Sequence, residues 1–185
     1  LISVHDKSGL VPFARGLAEI GFELVSSGGT AAVLEGAGLT VTRVEDVTGF
    51  PEMLGGRVKT LHPLIHAGIL ARRGVAEDMA TLAEHGVEGF DVVCVSLYPF
   101  EVVAQSPGAS DGDVIEMIDV GGPSMLRAAA KSHADVTPIC RAEDYEPVLA
   151  ELRASGSTSP ETRRRLASVA FATSRNSTAR PRPYF

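Results

Sequence analysis

Short apolar runs alternate along the chain with longer stretches in which apolar residues recur at helical spacing. Residues 90–97 form the most continuous apolar run, a pattern typical of a central parallel strand covered by helices on both faces. Shorter runs predict further strands at residues 1–4, 22–26, 41–44, 65–70 and 136–140. Helical spacing predicts helices at residues 10–20, 31–37, 76–84, 114–118, 125–131, 144–153 and 161–173.

This alternation predicts an α/β fold, a three-layer sandwich with a mostly parallel central sheet. In such folds, right-handed crossovers bring ligand-binding loops to the carboxyl ends of the strands. The length of 185 residues favours one domain, which we assign to residues 1–173. Residues 174–185, which are rich in Ser, Arg and Pro, are predicted to form a weakly ordered tail.

The composition narrows the possible partners and the compartment. A net charge of −6 argues against non-specific nucleic-acid binding, and no apolar run approaches the length of about 20 residues that spans a membrane. Cys94 and Cys140 lie inside apolar runs and lack the spacing of a metal pair or a nucleophilic site. We interpret them as buried thiols in a reducing compartment, which predicts a cytoplasmic protein.

Residues 55–63, with the sequence GGRVKTLHP, concentrate positive charge in an acidic chain. Arg57 offers a planar fork for phosphate or carboxylate and Lys59 a movable point charge, so the segment indicates an anionic ligand. A basic surface turn is the alternative, although the apolar residues 50–54 favour docking of the loop. His62 and His66 have helical ligand spacing, but Pro63 interrupts it, so a metal site is not favoured.

Three other segments fall where predicted strands end. Residues 27–30, SGGT, open a helix and could either bind phosphate or form an ordinary tight turn; the nearby Lys7 favours phosphate. Tyr98 at the end of the central strand either packs or donates to a substrate. Asp119, between apolar residues and ahead of two glycines, indicates a buried or half-buried carboxylate that needs partners. Arg127 and Lys131, four residues apart, are predicted to share a helix face, and a structural salt bridge is the alternative interpretation.

Together these segments resemble, in order and spacing, the inosine monophosphate (IMP) cyclohydrolase domain family. That family occurs in bifunctional purine-biosynthesis proteins, ahead of an AICAR formyltransferase domain. The resemblance covers residues 1–171. It rests on the segments DKSG (6–9), SGGT (27–30), TGFPE (48–52), GGRVKTLHP (55–63), LYPF (97–100), IDVGG (118–122) and RAAAK (127–131).

The resemblance implies a methylglyoxal-synthase-like (MGS-like) fold and closure of the formamido ribotide FAICAR to IMP, with loss of water. It implies no cofactor and no metal, a homodimer, and fusion to an AICAR transformylase domain that these 185 residues do not contain. We expect no nucleic-acid or membrane partner. A nucleotide-binding regulatory module of the same fold is the alternative, and a methylglyoxal synthase is a third option that would need a different carboxylate arrangement.

The resemblance also assigns roles to residues of this chain. Substrate-binding positions are His5, Lys7, Ser27, Gly28, Gly29, Thr30, Arg57, Lys59, Thr60, Val95, Ser96, Asp119 and Val120. Catalytic positions are Lys59, Tyr98, Asp119 and Lys131, with Lys131 as proton donor and acceptor and Asp119 orienting it.

Three features depart from the family pattern. Ser96 stands where asparagine is common, so an amide contact to the formyl group is expected to be lost or replaced by water. His5 occupies a position often held by serine, and the sequence after Phe171 differs from the usual helix.

Overall fold

A five-stranded, fully parallel sheet lies at the centre of the protein, in a computed structural model that describes residues 1–179. The strands are β1 (Ile2–Val4), β2 (Val25–Ser26), β3 (Thr42–Arg43), β4 (Val92–Ser96) and β5 (Thr137–Ile139). Their order across the sheet is β3-β2-β1-β4-β5, so β1 and β4 are central. Helices cover the sheet, and the predicted α/β class with a parallel sheet is confirmed.

Helices alternate with the strands along the chain and are numbered in chain order. They are α1 (Leu10–Glu19), α2 (Gly28–Gly36), α3 (Val44–Thr48), α4 (Pro63–Leu70), α5 (Ala76–Glu84), α6 (Phe100–Ala104), α7 (Asp111–Glu116), α8 (Gly121–Lys131), α9 (Tyr145–Ser155) and α10 (Pro160–Ala179). Short 3-10 turns occur at Leu54–Gly56 and Ala142–Asp144. Within the described residues, none of these helices combines the length and apolar character needed to cross a membrane.

Strand β4 contributes to both layers of the core. Val92 and Cys94 belong to one hydrophobic cluster, which also includes residues of α1 and α9. Val93 and Val95 belong to a second cluster, which also includes residues of α4 and α8. Because both faces of the strand are buried, its sequence has no polar alternation, which explains the continuous apolar run.

The predicted strand at residues 65–70 is wrong, because this segment belongs to helix α4. Pro63 occupies the first turn of the helix, where its fixed φ is favourable, and Nδ1 of His62 accepts a hydrogen bond from the amide of Leu64 at 3.2 Å. Ile65 and Ile69 are fully buried. A short apolar run alone does not distinguish a buried strand from a buried helix.

Several element boundaries also differ from the prediction. The segment predicted as a strand over residues 41–44 splits into the two-residue strand β3 and the start of α3. Helix α10 continues to Ala179, so residues 174–179 of the predicted tail are helical. The remaining tail residues, 180–185, lie outside the described residues.

The register of the strands brings the predicted loops together. Val4 at the end of β1 pairs with Ser96 at the end of β4, and Ile2 pairs with Ser26 at the end of β2. The segments that follow these strands, residues 5–7, 27–30 and 97–100, therefore emerge at one edge of the sheet. This edge is where ligand sites of parallel sheets occur.

We predict that Gly68→Ala destabilises the protein, because a Cβ there would lie 2.8 Å from the carbonyl oxygen of Glu88 and 2.9 Å from Cε2 of Phe90. Overpacking of this kind costs about 1–3 kcal/mol of the free energy of unfolding, measurable by urea denaturation. Gly36→Ala is the matched control, since this helical glycine has nothing within 4 Å of an added Cβ. It should be neutral or stabilise by up to about 1 kcal/mol, and equal effects would contradict this account of α4 packing.

Candidate functional site

A cavity of about 790 Å³ opens at the carboxyl edge of the sheet. It is lined by the segments that follow β1, β2 and β4, by the loop at residues 55–61, and by residues 115–122. All the predicted substrate-binding residues line it, namely His5, Lys7, Ser27, Gly28, Gly29, Thr30, Arg57, Lys59, Thr60, Val95, Ser96, Asp119 and Val120. Tyr98 lines it as well, so the fold brings together segments far apart in sequence.

The N-terminus of α2 forms one corner of this cavity. Ser27 is the N-cap residue in an extended conformation, and its side chain makes no capping hydrogen bond. The amides of residues 28–30 are in the first turn, where no carbonyl of the helix itself can accept from them. Because the helix dipole also places partial positive charge here, the corner can bind an anionic group.

Thr30 and Lys7 complete the same corner. The buried Thr30 hydroxyl donates to the carbonyl of Val4 at 3.0 Å and accepts from the amide of Val4 at 3.2 Å. Nζ of Lys7 donates to this hydroxyl at 3.0 Å and also to the carbonyl of Val4. Burial lowers the pKa of Lys7, and the neighbouring Asp6 partly opposes that shift. The end of β1 therefore holds a cationic side chain beside the free amides of α2.

Lys59 reaches this corner from the loop at residues 55–61. Its Nζ forms a 2.6 Å ion pair with Glu52. A Cβ added to Gly28, whose φ is +52°, would lie 2.7 Å from the same Nζ, so a side chain there would displace the lysine and strain the α2 loop. Glu52 was not among the predicted site residues; its only sequence signal was its place in the TGFPE segment.

Arg57 lies at the mouth of the cavity, where it is paired with Glu116 of α7. The side chains of Arg57 and Glu116 are 63% and 53% exposed, so solvent screens the attraction between their charges. Glu116 also lines the cavity and was not predicted from the sequence. An anion that binds Arg57 has to compete with this carboxylate.

Asp119 lies two residues before α8 and is half-buried. Its Oδ1 accepts a hydrogen bond from the amide of Gly122 at 2.8 Å. A Cβ on Gly122 would collide with Oδ2, so the glycine is required for this arrangement. Burial raises the pKa of the Asp119 carboxyl, while hydrogen bonds from the amides of Gly122 and Tyr98 and the charge of His5 partly lower it. The group is therefore a carboxylate whose protonated form is favoured by its surroundings.

Two of the departures from the family pattern lie beside Tyr98. The ring of His5 packs edge-on against Tyr98, with 5.3 Å between ring centroids. Oγ of Ser96 accepts hydrogen bonds from the amides of His5 at 2.8 Å and Asp6 at 3.3 Å. Since both lone pairs of this oxygen are used, its hydroxyl hydrogen is what Ser96 can offer to a ligand.

Lys131 is the predicted catalytic residue that the structure does not bring to the cavity of its own chain. It is exposed and is the last residue of α8, whereas Gly121 at the other end of the helix lines the cavity. The rise of an α-helix separates these two ends by about 15 Å. Arg127, predicted to share a face with Lys131, lies over the ring of Phe171 at 5.8 Å.

The histidines of α4 have structural contacts. His62 caps the helix, as described above, and Nε2 of His66 lies 2.6 Å from Oγ of Ser124 in α8. His62 thereby caps α4, and His66 joins α4 to α8. Among residues 1–179, no cluster of three or more His, Cys, Asp or Glu side chains could hold a metal ion.

Similarities to known proteins cover nearly the whole chain. The chain is 57% identical to the bifunctional purine biosynthesis protein PurH of Listeria welshimeri over 171 residues, which is 92% of this chain and 34% of that protein. The PurH of Lactobacillus delbrueckii subsp. bulgaricus is 54% identical over 92% of this chain and 33% of its own length. The chain thus spans about a third of the length of these curated relatives.

A solved structure, titled "Crystal structure of ForH", matches the fold with a TM-score of 0.84 and 38% identity. The match covers 96% of this chain and 93% of that one. Residues 129–179 match the family described as AICARFT/IMPCHase bienzyme. Residues 9–124, which contain most of the cavity lining, match the family described as MGS-like domain. With that match over more than half of its length, the chain belongs to the MGS-like domain family.

Proposed function

We propose that the chain catalyses closure of FAICAR to IMP with loss of water, which is the IMP cyclohydrolase reaction. The observation that carries the proposal is the placement of Lys59, Tyr98 and Asp119 on the same cavity as the α2 phosphate corner. The names of the relatives, bifunctional purine biosynthesis proteins, support it, as does the match of residues 129–179 to the AICARFT/IMPCHase family.

In this proposal the ribotide phosphate binds at the N-terminus of α2. The amides of residues 28–30 donate to its oxygens, and Lys7 supplies a charge that offsets the dianion. Lys7 is prepared for this role because Thr30 and Val4 already fix its position. Arg57, at the mouth, anchors the outer part of the ligand after leaving Glu116.

The carboxamide end of the ribotide lies beside Lys59 and Thr60. An amide nitrogen is a poor nucleophile, and it attacks more readily when its oxygen is held in an imidate-like form. The ammonium group of Lys59 and the hydroxyl of Thr60 stabilise that oxygen by donating to it. Fixed donors of this kind are worth about 2.7–4 kcal/mol of transition-state stabilisation.

The proton movements follow from the bonds that change. Attack forms the C–N bond and moves the electron pair of the formyl C=O onto oxygen, so one carboxamide proton leaves nitrogen and the oxygen gains one. The hydroxyl then departs as water while the formamido nitrogen loses its proton and the C=N bond forms. Asp119 accepts and returns protons, and its raised pKa suits both directions. Tyr98 and the Ser96 hydroxyl donate to the formyl oxygen.

A nucleotide-binding regulatory module is the alternative class. Such a module needs the phosphate corner, but it has no use for a half-buried carboxylate and a tyrosine that line the same cavity. No observation on this chain favours it over the enzyme, or favours a methylglyoxal synthase.

The proposal also includes the compartment, the domain fusion and the oligomeric state of the enzyme. We expect a cytoplasmic enzyme, fused in the longer protein to an AICAR transformylase domain, and a homodimer. Because Lys131 lies at the far end of α8 from its own cavity, its predicted role in proton transfer requires a second copy. We propose that Lys131 of one copy acts in the cavity of the other.

Turnover of FAICAR should exceed its spontaneous cyclisation, as followed by the absorbance of the product IMP. Asp119→Asn should lower kcat by about 100-fold or more, since the amide cannot accept a proton. A wild-type rate no greater than the spontaneous one would contradict the proposed function and favour the binding module.

The same Asp119→Asn variant should gain stability relative to the wild type as pH rises. The folded-state pKa of Asp119 is raised, so the favourable protonated form is present below its unfolded pKa of about 4 and is lost as pH rises through the folded pKa. The difference in the free energy of unfolding should therefore be more favourable to the variant at pH 7 than at pH 3. A difference independent of pH would contradict this environment for Asp119.

Lys7→Gln should weaken binding of IMP by about tenfold or more, because a charge-assisted hydrogen bond to phosphate is lost. Inosine, which lacks the phosphate, serves as the matched ligand and should bind both proteins equally, as measured by isothermal titration calorimetry. Equal losses for the two ligands would mean that Lys7 does not contact the phosphate.

Hybrid dimers test the place of Lys131. Lys131→Ala and Asp119→Asn should each be inactive alone, whereas a purified hybrid of the two should regain about half of the wild-type turnover, since one cavity then has both groups. An inactive hybrid, or full activity of Lys131→Ala alone, would contradict the shared cavity.

A further inference from the structure

We propose that Glu52 is a positioning residue that holds the ammonium group of Lys59 in place for ring closure. This inference rests on the proposed function and adds to it a residue outside the cavity lining. Glu52 does not line the cavity, so it acts through Lys59 rather than on the substrate.

A small hairpin places Glu52 opposite Lys59. Met53 and Val58 form an antiparallel bridge, in which each amide donates to the carbonyl of the other, at 3.1 and 3.3 Å. Residues one step outside such a bridge face each other across the hairpin, and these are Glu52 and Lys59. The turn between them contains three successive residues with positive φ, Leu54 at 54°, Gly55 at 64° and Gly56 at 93°.

The backbone at Gly28 and at Gly56 lies close to the ammonium group of Lys59 on two sides. A Cβ on Gly28 would lie 2.7 Å from Nζ of Lys59, and one on Gly56 would lie 3.4 Å from it and 2.8 Å from Oε1 of Glu52. The lysine side chain is only 21% exposed, whereas Glu52 is 38% exposed. The ion pair therefore fills a slot between the α2 loop and the hairpin turn.

A lysine needs such a partner because its side chain is a flexible four-carbon stem carrying a point charge. Without the carboxylate, Nζ can leave the slot and extend into water. Since small displacements of a catalytic group can lower a rate by about 100-fold, the contact affects the chemical step more than substrate binding. The removal of a carboxylate near the cavity also lessens repulsion of an anionic ligand, so KM is not expected to rise.

The test compares Glu52→Gln and Glu52→Ala with a matched control, Glu35→Gln. Glu35 pairs with Arg43 at 2.5 Å and is 36% exposed, so it resembles Glu52 in contact and exposure, but its partner Arg43 does not line the cavity, whereas Lys59 does. We expect kcat for FAICAR closure to fall about tenfold in Glu52→Gln and about 100-fold in Glu52→Ala, with KM unchanged or lower. Glu35→Gln should keep wild-type kcat.

Two further readouts separate positioning from folding and from the proposed function. The Tm of each Glu52 variant should stay within about 4 °C of the wild type, as expected for loss of a partly exposed ion pair. Amidination of Lys59, followed by mass spectrometry with an added lysine-containing peptide as reference, should become faster in both Glu52 variants.

The outcomes are distinguishable. An inactive wild type would overturn the proposed function alone, and the amidination rates would still decide whether Glu52 positions Lys59. An active wild type with Glu52→Gln equal to Glu35→Gln in kcat, or an amidination rate of Lys59 unchanged by both variants, would overturn the inference.

Discussion

Close approach of charged side chains to backbone is the constraint on which the cavity depends. At Gly28, Gly56 and Gly122 a Cβ would collide with the ammonium of Lys59 or with the carboxylates of Glu52 and Asp119. Each of these glycines lies in a different segment, and a side chain at any of them would displace one of the charged groups from its position at the cavity. The chemistry of the cavity follows from those positions.

Local charge at the cavity opposes the charge of the whole protein. The net charge is −6, yet the N-terminus of α2, Lys7 and Lys59 concentrate positive potential at one end of the sheet. Glu52 and Glu116 each hold one of the cations of the 55–61 loop by an ion pair. A polyanionic ligand that approaches an acidic surface is therefore directed to a small region in which cations are fixed in advance.

The sequence was sufficient for the parallel sheet, because the pattern of apolar runs is a local signal, and the family resemblance supplied the predicted part of the cavity lining. Residues 90–97 revealed a strand buried on both faces, and SGGT marked a helix start after a strand. The helix at Pro63–Leu70 was missed because its apolar run carries no period that separates helix from strand. Glu52 and Glu116 were missed because their importance comes from partners that only the hairpin register and α7 bring near. The exposed position of Lys131 follows from the length of α8, which its motif alone does not convey.

The central claim is that one nucleotide spans the cavity, with its phosphate at α2 and its base between Lys59 and Asp119. A crystal structure of the chain with IMP tests it most directly. We predict phosphate oxygens within hydrogen-bond distance of the amides of residues 28–30 and of Nζ of Lys7, and the base oxygen within reach of Lys59. A phosphate bound instead at Arg57 in the cavity mouth, with the base away from Asp119, would contradict the account.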